Sequence, residues 1–470
     1  MLPLSPAFFA FAGIAIALIW ASNRWPMGRL VVLLAANFFF LARFAWFYPV
    51  ILLAAASSDF LIGLGLQAIS RERRRPRLAL VSLSLFINIG LLAASKTLPL
   101  ALGDLDRWIF PLSLSFYCFQ SLTYTIDLFR GTREGTRNYL AHLSATTLFT
   151  VIVAGPINRV SDLIQQLRRP FALDRAAAAR AMLLIASGLM KKMLIADYLG
   201  DNVVNRIFDT PTLYSGAEVL IGVYAYALQI YYDFSGYTDI AMGVSLLLGL
   251  TVPDNFNRPY RSVSIIDFWR RWHITFSNWL RDYAYFSLPS ARKWEGYSYF
   301  NPIIVMLVGG LWHGIGWTFL VWGLLHGVAL SGARGFQAVR KKFLGRPKPS
   351  AVWRWLSIFL TFQFVCLTWI YFRAPDIGTA TAVLQRIGSG TWTVENISRP
   401  MLWVMLAGVA AHLIPPRWFE KTIQVFVSAP AALQALVRIA AFTIEGRAGM
   451  PAAKGGGWGQ YGLRMGRRTG

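Results

Sequence analysis

The chain is poor in charge, in cysteine and in histidine, and each shortage removes a class of protein. Only 14% of its 470 residues are charged while 56% are hydrophobic, and the mean hydropathy is +0.47. Soluble domains carry roughly 25% charged residues, so this is not the composition of a water-soluble globular enzyme. The two cysteines, Cys118 and Cys366, both lie inside apolar runs, which leaves no disulfide framework and no zinc knuckle. The sequence also lacks a phosphate-cradling P-loop, a dinucleotide fingerprint between strand and helix, a serine nucleophile elbow and a paired-histidine zinc helix. Nucleotide-driven pumps and metalloproteases are thereby set aside.

Acidic residues are scarce as well, 22 against 46 Lys and Arg, giving a formal net charge of +24. In a soluble protein that excess suggests nucleic acid. Here it sits in short runs between apolar segments, at Arg71–Arg77, Arg168–Arg169, Lys191–Lys192 and Arg340–Lys348. Such placement is the positive-inside pattern with attraction to anionic headgroups, so the expected partner is a lipid bilayer and not nucleic acid.

What is abundant is apolar sequence. Runs long enough to span or enter a membrane occur near 6–21, 29–55, 78–95, 108–129, 140–155, 181–198, 217–250, 302–332, 353–372 and 400–414. The runs at 217–250 and 302–332 each read as two elements or one broken one. The expected fold class is therefore an all-α polytopic membrane protein of about ten or eleven transmembrane helices plus re-entrant or interfacial helices. The apolar stretch Ala7–Trp20 has no basic residue before it and reads as a first membrane helix, not a cleaved signal. Gly155 with Pro156, Gly236, Gly309 and Gly310 mark places where helices break around a cavity. A single membrane domain over 1–445 is expected, followed by a Gly-rich, basic, disordered tail at 446–470.

The stretch 250–300 is too polar to cross a bilayer yet rich in aromatics. Ile266, Trp269, Trp272, Phe276, Trp279 and Tyr283 recur largely at helical spacing beside Arg270, Arg271 and Arg281. That pattern predicts an amphipathic helix at the interface or dipping into the membrane.

Three of the five histidines, His273, His313 and His326, fall between Asp267 and Gly327 among aromatic and aliphatic neighbours. A titratable ring in such surroundings needs a reason. His313 is flanked by Gly309, Gly310, Gly314 and Gly316, which remove bulk around it. On spacing alone it reads equally as a core histidine bonded to a neighbouring helix or as a base taking a proton from a hydroxyl. His273 reads as a headgroup-level polar residue, His326 as structural, and His142 and His412, near segment ends, as interfacial. A zinc site is not expected, because no pair of these histidines has the short spacing that marks one. A second constellation lies in residues 226–243, where Gln229, Tyr231, Asp233, Ser235, Tyr237, Thr238 and Asp239 interrupt an apolar run. Two carboxylates there call for partners, either a polar lock between helices or the lining of a substrate path.

At these residues the sequence resembles the membrane-bound O-acyltransferase family, in its alginate O-acetyltransferase branch. The resemblance is carried colinearly by FPLSLSFYCFQSLTYTIDLFRG (110–131), AGPINR (154–159), LQIYYDFSGYTDIAMG (228–243) and PDNFNRPYRSVSIIDFWRRWHITFSNWLRDYAYFSL (253–288). It continues through GGLWHGIGWTFLVWGLLHG (309–327) and WIYFRAP (369–375), and is strongest over 228–327. The resemblance implies helices ringed around a central funnel, with the histidines at its waist. It implies acyl transfer from a cytoplasmic thioester, acetyl-CoA, to hydroxyls of an exported polysaccharide such as alginate or another exopolymer. The transfer would run directly or through a periplasmic or membrane-anchored partner protein, in the bacterial cytoplasmic membrane and without a bound cofactor. His313 falls on the family's near-invariant histidine and is expected to be the general base, with His273 its partner. His326, Gln229, Asp233, Ser235, Tyr237 and Asp239 are expected to support them. Arg258, Arg261, Arg270 and Arg271 are the residue types that would hold coenzyme A phosphates. D-alanyl transfer to teichoic acid and O-acylation of peptidoglycan are alternatives within the same class. A proton-coupled transporter or flippase is the alternative outside it.

Overall fold

The computed structural model describes residues 5–102, 111–290, 292–345 and 350–429, so the expected tail at 446–470 lies outside the described residues. Every regular element among them is helical: α1 (Pro6–Ala21), α2 (Pro26–Ala42), α3 (Tyr48–Ala68), α4 (Arg74–Leu102), α5 (Pro111–Arg130), α6 (Tyr139–Thr146), α7 (Val160–Leu167) and α8 (Arg175–Met190). There follow α9 (Asn205–Asp209), α10 (Gly216–Leu247), α11 (Ile265–Trp269), α12 (Ile274–Trp279), α13 (Tyr297–His313), α14 (Trp317–Leu344), α15 (Ala351–Arg373), α16 (Ile377–Gly388), α17 (Arg399–Leu413) and α18 (Pro416–Ser428). They group into two compact units that interleave in sequence. One takes the described residues of 1–189, 237–254 and 416–429, the other those of 190–236 and 255–415.

The all-α expectation holds. Among the described residues four helices are long and apolar enough to cross a membrane, α3, the 74–97 part of α4, most of α14, and α15, with shorter apolar helices at α1, α2 and α17. The other apolar runs take different forms, for local reasons. The run 140–155 forms only the eight residues of α6 before the chain turns at 147–155. Eight residues rise about 12 Å, far short of a hydrocarbon core of about 30 Å. The run 181–198 gives way after α8 to a π-helix over Lys191–Asp197 that carries charge. Conversely 217–250, expected as two elements or one broken one, is the single 32-residue α10, with Gly236 inside it. One mid-helix glycine costs only about 1 kcal/mol, too little to break so long an apolar helix. Gly309 and Gly310 likewise sit inside α13, and the break falls after them, at 314–316.

The first unit is tied by a buried carboxylate. Asp59, fully buried on α3, accepts from Ser84 Oγ at 2.6 Å and Asn88 Nδ2 at 2.8 Å, both on α4, and from Ser121 Oγ on α5 at 2.6 Å. An ionisable group in an apolar helix persists only with such partners, and these three fix the register of three helices. His142 is also in this unit. Expected at the interface, it is buried instead, its Nε2 donating to Ala56 O at 3.1 Å and its ring 4.6 Å from that of Tyr124.

The second unit is built on the hairpin of α13 and α14. A side chain on Gly310 would strike the Phe319 carbonyl, one on Gly327 the Cα of Ile303, and one on Gly314 the Phe319 ring. Of the glycines flanking His313, Gly310 and Gly314 thus serve close approach of α14, one of the approaches their small size allows. Gly323 makes the same argument sharply, since an added Cβ would lie 3.1 Å from the Met306 carbonyl carbon and 3.2 Å from Leu307 Cα. Backbone cannot move aside cheaply, whereas Gly332, on the same helix, has open space around it. Gly323→Ala should lower the thermal midpoint, by an equivalent of about 1–3 kcal/mol. Gly332→Ala should leave it unchanged or raise it, by up to about 1 kcal/mol. Thermal unfolding of the two variants in detergent checks the opposite signs.

Candidate active site

The amphipathic helix expected across 266–283 is in fact broken. α11 ends at Trp269, the chain turns through Arg270–Trp272, and α12 begins after His273, which caps it with φ 42° and ψ 56°. A left-handed backbone is costly for a residue other than glycine, and a histidine cap brings no side-chain bond to its own helix here. The missing cap comes from Asn255. Its backbone oxygen accepts from Ile274 N at 2.9 Å, and its Oδ1 accepts from Thr275 N at 3.3 Å and Thr275 Oγ1 at 2.6 Å. The first two N–H groups of α12 are thereby satisfied from another segment, the service an N-cap residue normally performs. After Trp279 the helix widens into a π turn over Leu280–Ala284, a form concentrated at functional sites.

The same Asn255 Oδ1 lies 3.3 Å from His273 Nδ1. A backbone N–H only donates, so its bond to Oδ1 fixes the amide orientation and makes His273 Nδ1 the donor. The neutral ring then carries its proton on Nδ1 and its basic lone pair on Nε2. His273 is 2% exposed, against the expectation of a headgroup-level residue. Burial first, then the nearby His313, hold its pKa well below the ordinary imidazole value. It is a neutral imidazole set among Phe234, with ring centroids 4.7 Å apart, and Phe276, stacked at 4.9 Å.

His313 closes α13, at the end where unpaired carbonyls favour a positive charge. It is half-buried. Its ring centroid is 5.6 Å from that of Phe276, 4.8 Å from Trp312 and 4.9 Å from Phe372. Phe276 and Trp312, themselves 4.7 Å apart, touch both histidines and form a shared apolar wall. His326 is structural. Its Nδ1 accepts from Trp269 Nε1 at 3.3 Å, so its Nε2 donates to Thr368 Oγ1 at 3.0 Å, which donates in turn to Val365 O at 2.8 Å.

The polar face of α10 divides between the units. Asp233 is buried on Lys192 Nζ at 2.6 Å, and the same amine reaches Asp197 at 2.5 Å. Lys192 was legible only as part of a basic pair, and its place inside an apolar run was the signal for a buried partner. Gln229 packs on Gly200 and Ser235 is buried, both in the second unit. In the first unit Tyr237 bonds the Ala154 backbone and Asp239 accepts from Ser187 Oγ at 3.2 Å. Of the arginines, Arg270 is exposed and Arg271 is held by Asp267 at 2.9 Å, whereas Arg258 and Arg261 make no ion pair among the described residues. No cluster of three or more potential metal ligands occurs among the described residues.

Comparison with known proteins gives this arrangement a family. The model of the MBOAT, membrane-bound O-acyltransferase, family matches residues 138–371, which contain both histidines and Asn255. The probable alginate O-acetylase AlgI of Azotobacter vinelandii is 38% identical over 296 residues, 63% of this chain and 57% of the relative. The chain thus spans less than two thirds of the length of that relative. The probable alginate O-acetylase AlgI of Pseudomonas syringae pv. tomato is 32% identical over 412 residues, 84% of this chain and 76% of the relative. The peptidoglycan O-acetyltransferase of Helicobacter pylori is 32% identical over 412 residues, 80% of this chain and 76% of the relative. The protein belongs to the membrane-bound O-acyltransferase family.

Proposed function

We propose that the protein is a membrane O-acyltransferase that moves an acetyl group from acetyl-CoA to hydroxyls of an exported polysaccharide, alginate or a related exopolymer. The bacterial cytoplasmic membrane is its site of action, and the acetyl group passes to the polysaccharide directly or through a periplasmic or membrane-anchored partner protein. The observation that carries this reading is the pairing of a half-buried His313 with a buried, neutral His273 across one aromatic wall. The relatives named as alginate O-acetylases support the polysaccharide as acceptor. The relative named as a peptidoglycan O-acetyltransferase matches over a similar span and makes peptidoglycan the second reading.

A thioester is already activated, so the protein has three tasks: deprotonate a hydroxyl, align two substrates and exclude water. His313 takes the proton of the acceptor hydroxyl as its oxygen bonds to the thioester carbonyl carbon. The tetrahedral intermediate collapses with cleavage of the carbon–sulfur bond, and the imidazolium returns the proton to the departing thiolate. The carbonyl end of α13 favours that transient cation. His273, fixed by Asn255, offers Nε2 as a hydrogen-bond acceptor that orients a reacting group. The aromatic wall keeps bulk water from competing for the thioester.

Two outcomes follow. With membrane levels matched, His313→Ala should cut the acetyl-ester content of the secreted polymer by a factor of about 10²–10⁴ while polymer export continues. Unchanged ester on the polymer, with ester lost from peptidoglycan, would transfer the reading to the second acceptor. Unchanged ester on both would remove His313 from catalysis. Asn255→Ala should reduce kcat by about ten- to a hundredfold with a smaller change in KM, measured by acetyl transfer from labelled acetyl-CoA.

A further inference from the structure

The loop that steadies His273 carries a second feature at its far end. Arg258 also has a left-handed backbone, φ 46°, a conformation that is costly outside glycine and concentrates at ligand clamps. Its Nε has no hydrogen-bond partner, and neither it nor Arg261 makes an ion pair among the described residues. Burial first, then the like charges of Arg261 and Arg271, lower its pKa from the ordinary value. Arg271 is compensated by Asp267. Among the described residues no carboxylate pairs with the other two.

Beside them is His412, on α17. Expected at the interface, it is 6% exposed, with its ring against Tyr231 at 4.8 Å between centroids and Tyr260 at 5.5 Å. Neither ring nitrogen has a hydrogen-bond partner, although an imidazole must carry at least one N–H. Leaving that donor buried and unsatisfied is destabilising. The cations within electrostatic reach of it are Arg258, Arg261 and Lys191. A strained arginine without a counter-ion and a buried histidine without an acceptor lack the same thing, an anion with several oxygen acceptors.

We infer that Arg258, Arg261 and His412 form a phosphate subsite that holds the pyrophosphate of the donor. The inference rests on the reading above that the donor is a coenzyme A thioester. The guanidinium forks engage the phosphate oxygens, and the His412 N–H supplies a neutral donor from the apolar side. Because Asn255 and Arg258 belong to one short loop, a phosphate bound at Arg258 also tightens the loop that caps α12 and steadies His273.

The test uses the purified full-length protein in neutral detergent, with coenzyme A, inorganic pyrophosphate and a short-chain phosphatidic acid as separate probes in calorimetric titrations. Arg258→Gly is the decisive variant, because glycine adopts the left-handed conformation without strain and the fold is kept. His412→Ala is the second. Both should weaken coenzyme A and pyrophosphate by about tenfold or more, as loss of a bond to a charged group implies, and the loss should appear in the KM for acetyl-CoA more than in kcat. If both variants bind coenzyme A as the wild type does, the subsite is wrong and the donor reading stands. If the wild type binds pyrophosphate through these residues but not coenzyme A, the phosphate site stands and the donor reading falls. Loss confined to phosphatidic acid, or no binding of any probe by the wild type, overturns the subsite as a donor site.

Discussion

The geometry of the site hangs on one side chain, the amide of Asn255. A short helix cannot begin at a histidine held in a left-handed conformation unless its first N–H groups find acceptors elsewhere, and Asn255 provides two. The same amide oxygen accepts a hydrogen bond from His273 Nδ1–H and so decides which nitrogen of that ring is basic. One residue therefore sets the start of α12, the tautomer of its histidine and the position of Phe276, the ring shared with His313. The strain at His273 is tolerated because the surrounding bonds over-determine it.

Elsewhere the protein meets the cost of polar groups in an apolar interior by pairing them tightly. Asp59 is ringed by three donors, and Lys192 is shared between Asp233 and Asp197. Such buried pairs add little net stability compared with well-packed apolar residues, yet breaking one by removing a single partner is strongly destabilising. Asp233 and Lys192 therefore act as a register lock within their unit, and the polar stretch of α10 is partly explained without invoking a substrate. Against that background the groups left without partners stand out. Arg258 is strained and His412 buried, and among the described residues neither Arg258 Nε nor either His412 ring nitrogen has a hydrogen-bond partner.

Much of this was legible in the sequence, and what was hidden has a physical cause. The all-α membrane class follows from long apolar runs with charge confined between them, and the weight on His273 and His313 follows from titratable rings in aromatic company. The spacing of Ile266, Trp269, Trp272 and Phe276 suggested one helix, because periodicity records which side chains are buried and not whether the backbone between them turns. The break at His273 depends on Asn255, 18 residues earlier, a tertiary contact that no local pattern contains. His142 and His412 were misplaced for a related reason, since a position near the end of an apolar run says nothing of what packs over it. The glycines beside His313 signalled close approach correctly. The approaching groups are the Phe319 backbone and ring, not a ligand.

The central claim is that Asn255 acts on the reaction through His273. A double-mutant cycle on kcat/KM for acetyl transfer tests it, using Asn255→Ala, His273→Ala and the pair, with protein amounts matched in detergent or proteoliposomes. If Asn255 works only by holding that ring, its removal adds nothing once His273 is gone, and the coupling energy equals the whole effect of the single Asn255 change. Additive losses would contradict the account and assign Asn255 to a separate task.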